Sequence, residues 1–187
     1  MTKFAVLTST AVALLALTAM PVLAVTTVYT ATLFGSTEAT PNSSPAIGLG
    51  IVTFDDVVPL SPTMKVSLQY FGLIGGTVTG AHIHCCTATA GSGTSGVVQD
   101  FMGSGFPTMP NYGNFDFTFT LAPATFATLT AGAAGGKAYL NIHNTGFGGG
   151  EIRGFLNAAP VPEPSTYGLM AAGLLAIGAF ARRRRQD

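Results

Sequence analysis

Apolar and polar residues alternate along most of the chain. Side chains on a strand point to opposite faces in turn, so this period of two predicts half-buried β-strands. Seven segments show the alternation: 25–34, 46–54, 63–71, 76–85, 114–121, 137–143 and 151–156. One helix is predicted over 123–132, where Gly132 ends it. Short strands with Gly-, Ser- and Pro-rich links at 35–45 and 87–113 indicate an all-β fold, an antiparallel β-sandwich or flattened barrel.

The N-terminal end of the chain breaks this pattern. Residues 1–24 contain Lys3 and a short apolar run, and they close with the small residues Val22 and Ala24 at −3 and −1 of a cleavage site. This arrangement predicts a secretory signal peptide that is removed after Ala24. An uncleaved membrane anchor is the alternative interpretation.

The C-terminal end carries three features in order. They are the triplet Pro162, Glu163 and Pro164, the uncharged apolar stretch 166–181, and the cluster Arg182, Arg183, Arg184 and Arg185. A helix over 166–181 would be about 24 Å long, slightly shorter than the roughly 30 Å hydrocarbon core of a bilayer. The arginines favour the cytoplasmic side. The sequence therefore predicts a short transmembrane helix in a tail of residues 161–187, which leaves 25–160 as a single domain.

This tail resembles the PEP-CTERM sorting signal of Gram-negative bacteria over Val161 to Arg185. The resemblance implies secretion, a transient anchor in the inner membrane, processing near the triplet by an exosortase, and delivery to the cell surface. It also implies an association with exopolysaccharide-producing organisms and their extracellular matrix. A permanent single-span anchor is the alternative.

Charge is sparse within the predicted domain. Its basic residues are Lys65, Lys137 and Arg153, and its acidic residues are Glu38, Asp55, Asp56, Asp100, Asp116 and Glu151, so the net charge is 3 − 6 = −3. This balance excludes nucleic acid as a partner, because phosphate binding requires a basic patch. Polarity comes instead from Thr, Ser, Gly and Asn, as is typical of an extracellular β-protein.

Candidate metal ligands are concentrated in GAHIHCC, residues 80–86. His82 and His84 share one face of the predicted strand, with Ile83 on the core face. On the strand 137–143 the apolar set faces the core, so His143 points outward as well. We therefore expect the three histidines to lie outside the core and close together. Histidine is the commonest ligand of copper and zinc, so a metal site is the hypothesis, and a hydrogen-bonded cluster that holds the loops is the alternative.

Three further positions have a predicted environment. Phe117 and Ile142 lie on the apolar phase of their strands and are expected in the core. Gly80 indicates a bulge or a close approach of another group. Glu151 and Arg153 alternate on one strand face, where a surface ion pair is the plain interpretation.

The domain resembles the CHRD family, named for the repeated module of chordin and found in bacterial secreted proteins. GAHIHC at 80–85, KAYLNIHNTGFGGGEIRGFL at 137–156 and ATLFGSTEATP at 31–41 carry the resemblance. It implies a secreted β-sandwich without a defined activity. The growth-factor binding of the animal protein does not transfer to bacteria.

A fainter resemblance is to copper-zinc superoxide dismutase, whose copper ligands also project from a β-barrel. It implies a three-imidazole copper site at His82, His84 and His143, with Arg153 nearby as an anion guide. Cys86 shares the face of His82 and His84, which makes it a further candidate neighbour of the site. The chain departs from that pattern, because it has no fourth histidine to bridge two metals and no zinc-binding set in 87–113.

The adjacent Cys85 and Cys86 have three open states in an oxidising compartment: a vicinal disulfide, a link between molecules, or free thiols. An oxidised pair is the preferred hypothesis. In a disulfide, Cys86 would offer no thiolate to a metal.

Two classes of function follow from the sequence. The first is a non-catalytic structural or binding component of the extracellular matrix. The second is a mononuclear copper-binding or redox protein that uses the three histidines.

Overall fold

The computed structural model describes residues 26–58 and 60–160, together with positions 169, 170, 172–175 and 177. The predicted signal peptide, the triplet Pro162 to Pro164 and the cluster Arg182 to Arg185 lie outside these residues. The described positions of the predicted C-terminal helix are helical. Among the described residues, no helix has both the length and the apolar character needed to cross a membrane.

Nine strands and one α-helix make up the described fold. The strands are β1 (Thr26–Phe34), β2 (Ile47–Asp55), β3 (Thr63–Phe71), β4 (Val78–His84), β5 (Val97–Asp100), β6 (Tyr112–Thr120), β7 (Tyr139–Asn144), β8 (Ile152–Phe155) and β9 (Asn157–Ala158), and α1 (Pro123–Ala134) lies between β6 and β7. The seven predicted strands and the predicted helix are confirmed, but the helix does not end at Gly132 and continues to Ala134. The short β5 and β9 were not predicted, since neither shows a sustained alternation.

The strands form one open, curled antiparallel sheet that resembles half of a barrel. Their order is β5-β4-β7-β8-β1-β2-β3-β6, with β9 paired to β1. The prediction of an all-β antiparallel fold is confirmed, and strands account for 43% of the structure. The curled sheet leaves β5 and β6 as its two edges.

The hydrophobic core fills the concave side of this sheet. Large side chains from β1, β2, β3, β4 and β7 are fully enclosed there, among them Leu33, Phe54, Leu68, Ile83 and Ile142. The predicted burial of Ile142 is confirmed. Each such side chain contributes about 1.5–3 kcal/mol through the removal of apolar surface from water. The helix α1 adds Leu129 to the core.

The predicted burial of Phe117 is wrong. Its side chain is 39% exposed, whereas Phe115 and Phe119 on the same face of β6 are 3% and 7% exposed. The rings of Phe101 and Phe106 cover Phe115, and Phe101 also lies 5.6 Å from Phe119. Among the described residues, Phe117 has ring contacts only with Phe115 and Phe119, and neither Phe101 nor Phe106 reaches it.

The convex face of β4, β7 and β8 is covered, which alternation alone did not predict. Residues 35–45, 85–96 and 145–150 fold over it, so Asn141, Glu151 and Arg153 are buried. The interpretation of Glu151 and Arg153 as members of surface ion pairs is therefore wrong. These strands are buried on both faces, with an apolar layer on one side and a polar layer on the other.

Candidate metal centre

Strand pairing brings the three histidines together. In the β4–β7 ladder, Gly80 is opposite His143 and His82 is opposite Asn141, while a shift of register between Val78 and Gly80 marks the predicted bulge. One ring nitrogen from each histidine lies within 4.8 Å of the others. The ring centroids of His82 and His143 are 5.1 Å apart, and those of His82 and His84 are 5.5 Å apart. The expected proximity is thus present in the structure.

One ring nitrogen of each histidine lies close to a backbone carbonyl or a carboxylate oxygen, which fixes the orientation of the imidazole. His84 Nδ1 lies 2.9 Å from the Ser95 carbonyl, and His143 Nδ1 lies 3.0 Å from the Gly148 carbonyl. His82 Nε2 lies 3.2 Å from Asp100 Oδ1. Carbonyl and carboxylate acceptors of this kind fix the orientation of metal-binding histidines in other proteins.

The other nitrogen of each imidazole is buried and has no hydrogen-bond partner among the described residues. These atoms are His82 Nδ1, His84 Nε2 and His143 Nε2. A buried polar atom without a partner is costly, so three of them in one cluster mark a candidate position for a ligand. A cation that accepts three lone pairs satisfies all of them at once.

The environment favours neutral imidazoles, which is the form that binds metal. Burial lowers the pKa of His82, and the nearby His143 and His84 lower it further, while Asp100 opposes them. Burial also lowers the pKa of His84, against the effect of its hydrogen bond to Ser95. Both rings therefore stay uncharged and available at neutral pH.

The geometry fits one metal ion after a small adjustment. Two nitrogens on one ion lie at most about 4.2 Å apart, since each metal–nitrogen bond is about 2.1 Å. The widest pair here, at up to 4.8 Å, has to close by a few tenths of an ångström. Rotation of one imidazole about its side-chain bonds would provide that movement.

Gly80 makes room for the cluster. A Cβ at this position would lie 2.7 Å from His82 Cε1 and 3.5 Å from His143 Cδ2. The group that approaches Gly80 closely, as predicted, is therefore the His82 imidazole of the candidate centre.

Tyr139 and Arg153 support His84 from the side. The rings of His84 and Tyr139 are stacked, with centroids 4.7 Å apart and planes 2° from parallel. The Arg153 guanidinium lies 5.1 Å from the Tyr139 centroid and donates to the carbonyls of Thr37 and Gly93. It is 4% exposed, so it is not the open anion guide that the dismutase resemblance implied.

The cysteines lie apart from the cluster. Cys85 and Cys86 are joined by a disulfide, and both sulfurs face α1 near Thr128. A Cβ at Gly132 would lie 2.1 Å from Cys85 Sγ, so this glycine accommodates the disulfide on the helix. Cys86 is not in the group of side chains that surrounds the candidate metal position.

Two polar groups that hold the convex face together had no signal in the sequence. Glu151 is fully buried and accepts hydrogen bonds from the backbone of Ile74 and Gly75 and from Ser44. Asp100, which holds His82, lies in β5 within a link that shows no regular pattern. Such partners come from loops, where spacing along the chain does not indicate position in space.

Two family models match the chain. A CHRD domain matches residues 29–156, and a PEP-CTERM protein-sorting motif matches residues 160–185. The first match covers more than half of the chain, so this chain belongs to the CHRD family. No curated protein and no solved structure matches it significantly.

The sorting motif defines the cellular route of the protein. It implies export, membrane anchoring before cleavage by an exosortase, and surface localisation afterwards. The chain is therefore a secreted, exosortase-processed surface protein with a CHRD domain.

Proposed function

We propose that this CHRD protein is a non-catalytic binding module at the surface of a Gram-negative bacterium, and that its three-histidine centre binds one copper ion. The observation that carries the proposal is the set of three unpartnered ring nitrogens. The other nitrogen of each imidazole lies close to a carbonyl or carboxylate oxygen that fixes the ring. Copper(II) is the divalent first-row ion that nitrogen ligands bind most strongly. We propose binding without catalysis, because the chain lacks the bridging histidine and the zinc-binding set of a dismutase.

Calorimetric titration of the purified protein with Cu(II) at neutral pH tests this proposal. We expect one ion per chain, and we expect His82→Ala and His143→Ala each to abolish the site. A variant with all three histidines replaced by alanine provides the baseline for adventitious binding. Wild-type binding no stronger than this baseline would overturn the proposal.

Gly80→Ala tests the geometry while it keeps all three imidazoles. The new methyl group must displace the His82 ring, so we expect copper affinity to fall by about 10-fold or more, as when the support of a metal ligand is lost. Gly103→Ala is the matched control, because nothing lies within 4 Å of its Cβ. Equal affinities for the two variants would show that His82 is not a ligand.

A structural role in the extracellular matrix is the second candidate. Its support is that the hydrogen bonds of His84 and His143 already hold the segments around Ser95 and Gly148 without a metal. The sparse charge of the domain and the surface sorting motif suit a matrix component of exopolysaccharide-producing cells. The same titration separates the two candidates, since a loop-holding cluster binds no more copper than the histidine-free variant.

A further inference from the structure

The turn between β2 and β3 carries a cluster of exposed apolar side chains. Val57, Val58 and Leu60, here called the hairpin tip, are 61%, 57% and 88% exposed. Turns are normally rich in Gly, Pro, Asn, Asp and Ser, because an apolar side chain in water gains nothing from folding. A single exposed hydrophobic residue is common, but three together at the end of a hairpin indicate a contact outside the domain.

The hairpin tip lies at the end of the domain from which the chain leaves for the membrane. β1 begins at Thr26, which is opposite Asp55 at the end of β2. β9 runs antiparallel beside β1 towards this end, and the backbone N–H of Ala159 donates to the carbonyl of Val28. Val28 is opposite Thr53, so the tip starts four residues beyond this level. At 3.3 Å per residue, it projects up to about 13 Å past the point where the chain leaves.

The chain that follows the domain is too short to hold this end far from the bilayer. Only residues 161–165 separate Pro160 from the apolar stretch that begins at Thr166. Six residues of extended chain reach at most about 22 Å, of which the headgroup layer takes up about 6 Å. The sorting motif implies that the protein is anchored in a membrane before cleavage. The gap between the domain and the lipid is therefore one that the projecting tip can largely span.

Charge does not attract the hairpin tip to a membrane. Asp55 and Asp56 precede it, and anionic headgroups repel carboxylates. Asp55 Oδ1 accepts a hydrogen bond from the backbone of Val57 at 2.8 Å, so this carboxylate shapes the turn. The attraction is instead apolar, as for other side chains that enter the boundary between headgroups and acyl chains. Because the anchor already keeps the domain at the surface, a weak interaction is sufficient.

We propose that the hairpin tip inserts into the surface of the lipid bilayer that anchors the protein. Insertion would orient the domain with its exit end towards the membrane while the sorting motif is intact. Once the exosortase has removed the anchor, three apolar side chains alone hold the domain only weakly, and the protein can leave the membrane. This inference rests on the sorting motif and not on the copper centre, so either proposal can fail alone.

The test uses the anchored protein, expressed in a host without an exosortase and reconstituted in phosphatidylcholine vesicles. The two cysteines of the chain form a disulfide, so Leu60→Cys introduces a single thiol for attachment of the fluorophore bimane. Lipids with nitroxide-labelled acyl chains quench a label that lies in the bilayer, and we expect about twofold lower fluorescence at position 60. Met109→Cys is the control, because this residue is 66% exposed and precedes Tyr112 at the opposite end of the sheet. A label there should keep its fluorescence.

Two further variants identify the contact. In the protein labelled at position 60, Val57→Ser together with Val58→Ser should restore most of the fluorescence. Ile74→Ser, at a residue that is 61% exposed near the opposite end, should leave the quenching unchanged. Equal quenching at positions 60 and 109, or quenching that survives the two serine substitutions, would overturn the proposal.

The same position distinguishes lipid from a protein partner. Pyrene attached at position 60 gives excimer emission if two hairpin tips meet, so excimer emission in place of lipid quenching would show that a second copy covers the tip. Quenching that is absent in pure lipid and a label that is shielded only when an exosortase is present would assign the tip to that enzyme. Either result would overturn insertion into lipid.

Discussion

The candidate copper centre depends on which nitrogen of each imidazole carries the proton. His84 and His143 donate Nδ1–H to backbone carbonyls, which leaves the Nε2 lone pair free. His82 is reversed, since its Nε2 faces the Asp100 carboxylate and its Nδ1 is free. A carboxylate behind an imidazole raises the basicity of the ligand nitrogen. The three ligands are therefore not equivalent, and His82 is expected to be the strongest donor.

Glu38 gives the protein a pH dependence of defined sign. Burial raises the pKa of Glu38 from its usual 4.5 to about 7, although Arg153 opposes the rise. The folded state then keeps a proton that the unfolded chain releases. The contribution of Glu38 to the free energy of unfolding is full below pH 4.5 and is lost as the pH rises through 7.

We therefore expect Glu38→Gln to become more stable relative to wild type as the pH rises from 5 to 8, by about 1–3 kcal/mol. Urea unfolding of both proteins at pH 5, 6.5 and 8 measures this difference. All other titratable groups are the same in both proteins, so their effect cancels in the comparison. A difference that stays constant with pH would show that Glu38 is already ionised when buried.

At the scale of secondary structure, the edge strand β6 carries apolar side chains in two different environments. Phe115 lies beneath Phe101 and Phe106, whereas among the described residues no aromatic ring from outside β6 contacts Phe117. The two residues share one face, one strand and one side-chain type. They therefore form a matched pair for measuring what coverage contributes.

We expect Phe115→Ala to cost about 3–5 kcal/mol of the free energy of unfolding, as is usual for a core phenylalanine. Phe117→Ala should cost clearly less than Phe115→Ala, because 39% of the Phe117 surface is already in water. Equilibrium unfolding in urea gives both values. Equal costs would mean that Phe117 is covered in solution.

The elements were predictable from sequence where one physical signal dominated. The alternation of apolar and polar residues located seven strands, and it placed His82, His84 and His143 on the same face of the sheet. It did not distinguish an exposed face from one covered by loops, which is why the burial of Arg153 and Glu151 was missed. Phe117 was misassigned because a period of two specifies a face but not whether another element lies over it. The acceptors Ser95 and Gly148 come from loops, and Asp100 comes from β5, which at four residues is too short to show a clear period.

At the scale of the whole molecule, the CHRD domain is exported and is separated from its membrane anchor when the exosortase cleaves the chain. The predicted signal peptide and the sorting motif lie on either side of the CHRD match. We expect the mature surface form to lack residues 1–24 and those beyond about Pro164. Mass spectrometry of surface material checks this prediction. Recovery of an intact peptide with Arg182 to Arg185 would indicate a permanent anchor instead.

The position of β1 in the middle of the sheet affects when the protein can fold. This strand pairs with β2 on one side and with β8 and β9 on the other, so the first and last parts of the domain meet at the centre. Contacts between such distant segments slow folding, and here they cannot form until residues 152–158 have left the translocation channel. The sorting motif begins at residue 160, two residues after β9. The fold is therefore completed at nearly the same time as the sorting motif reaches the membrane. The exosortase then acts either on a chain that is still folding or on a chain whose folded domain ends two residues before the motif.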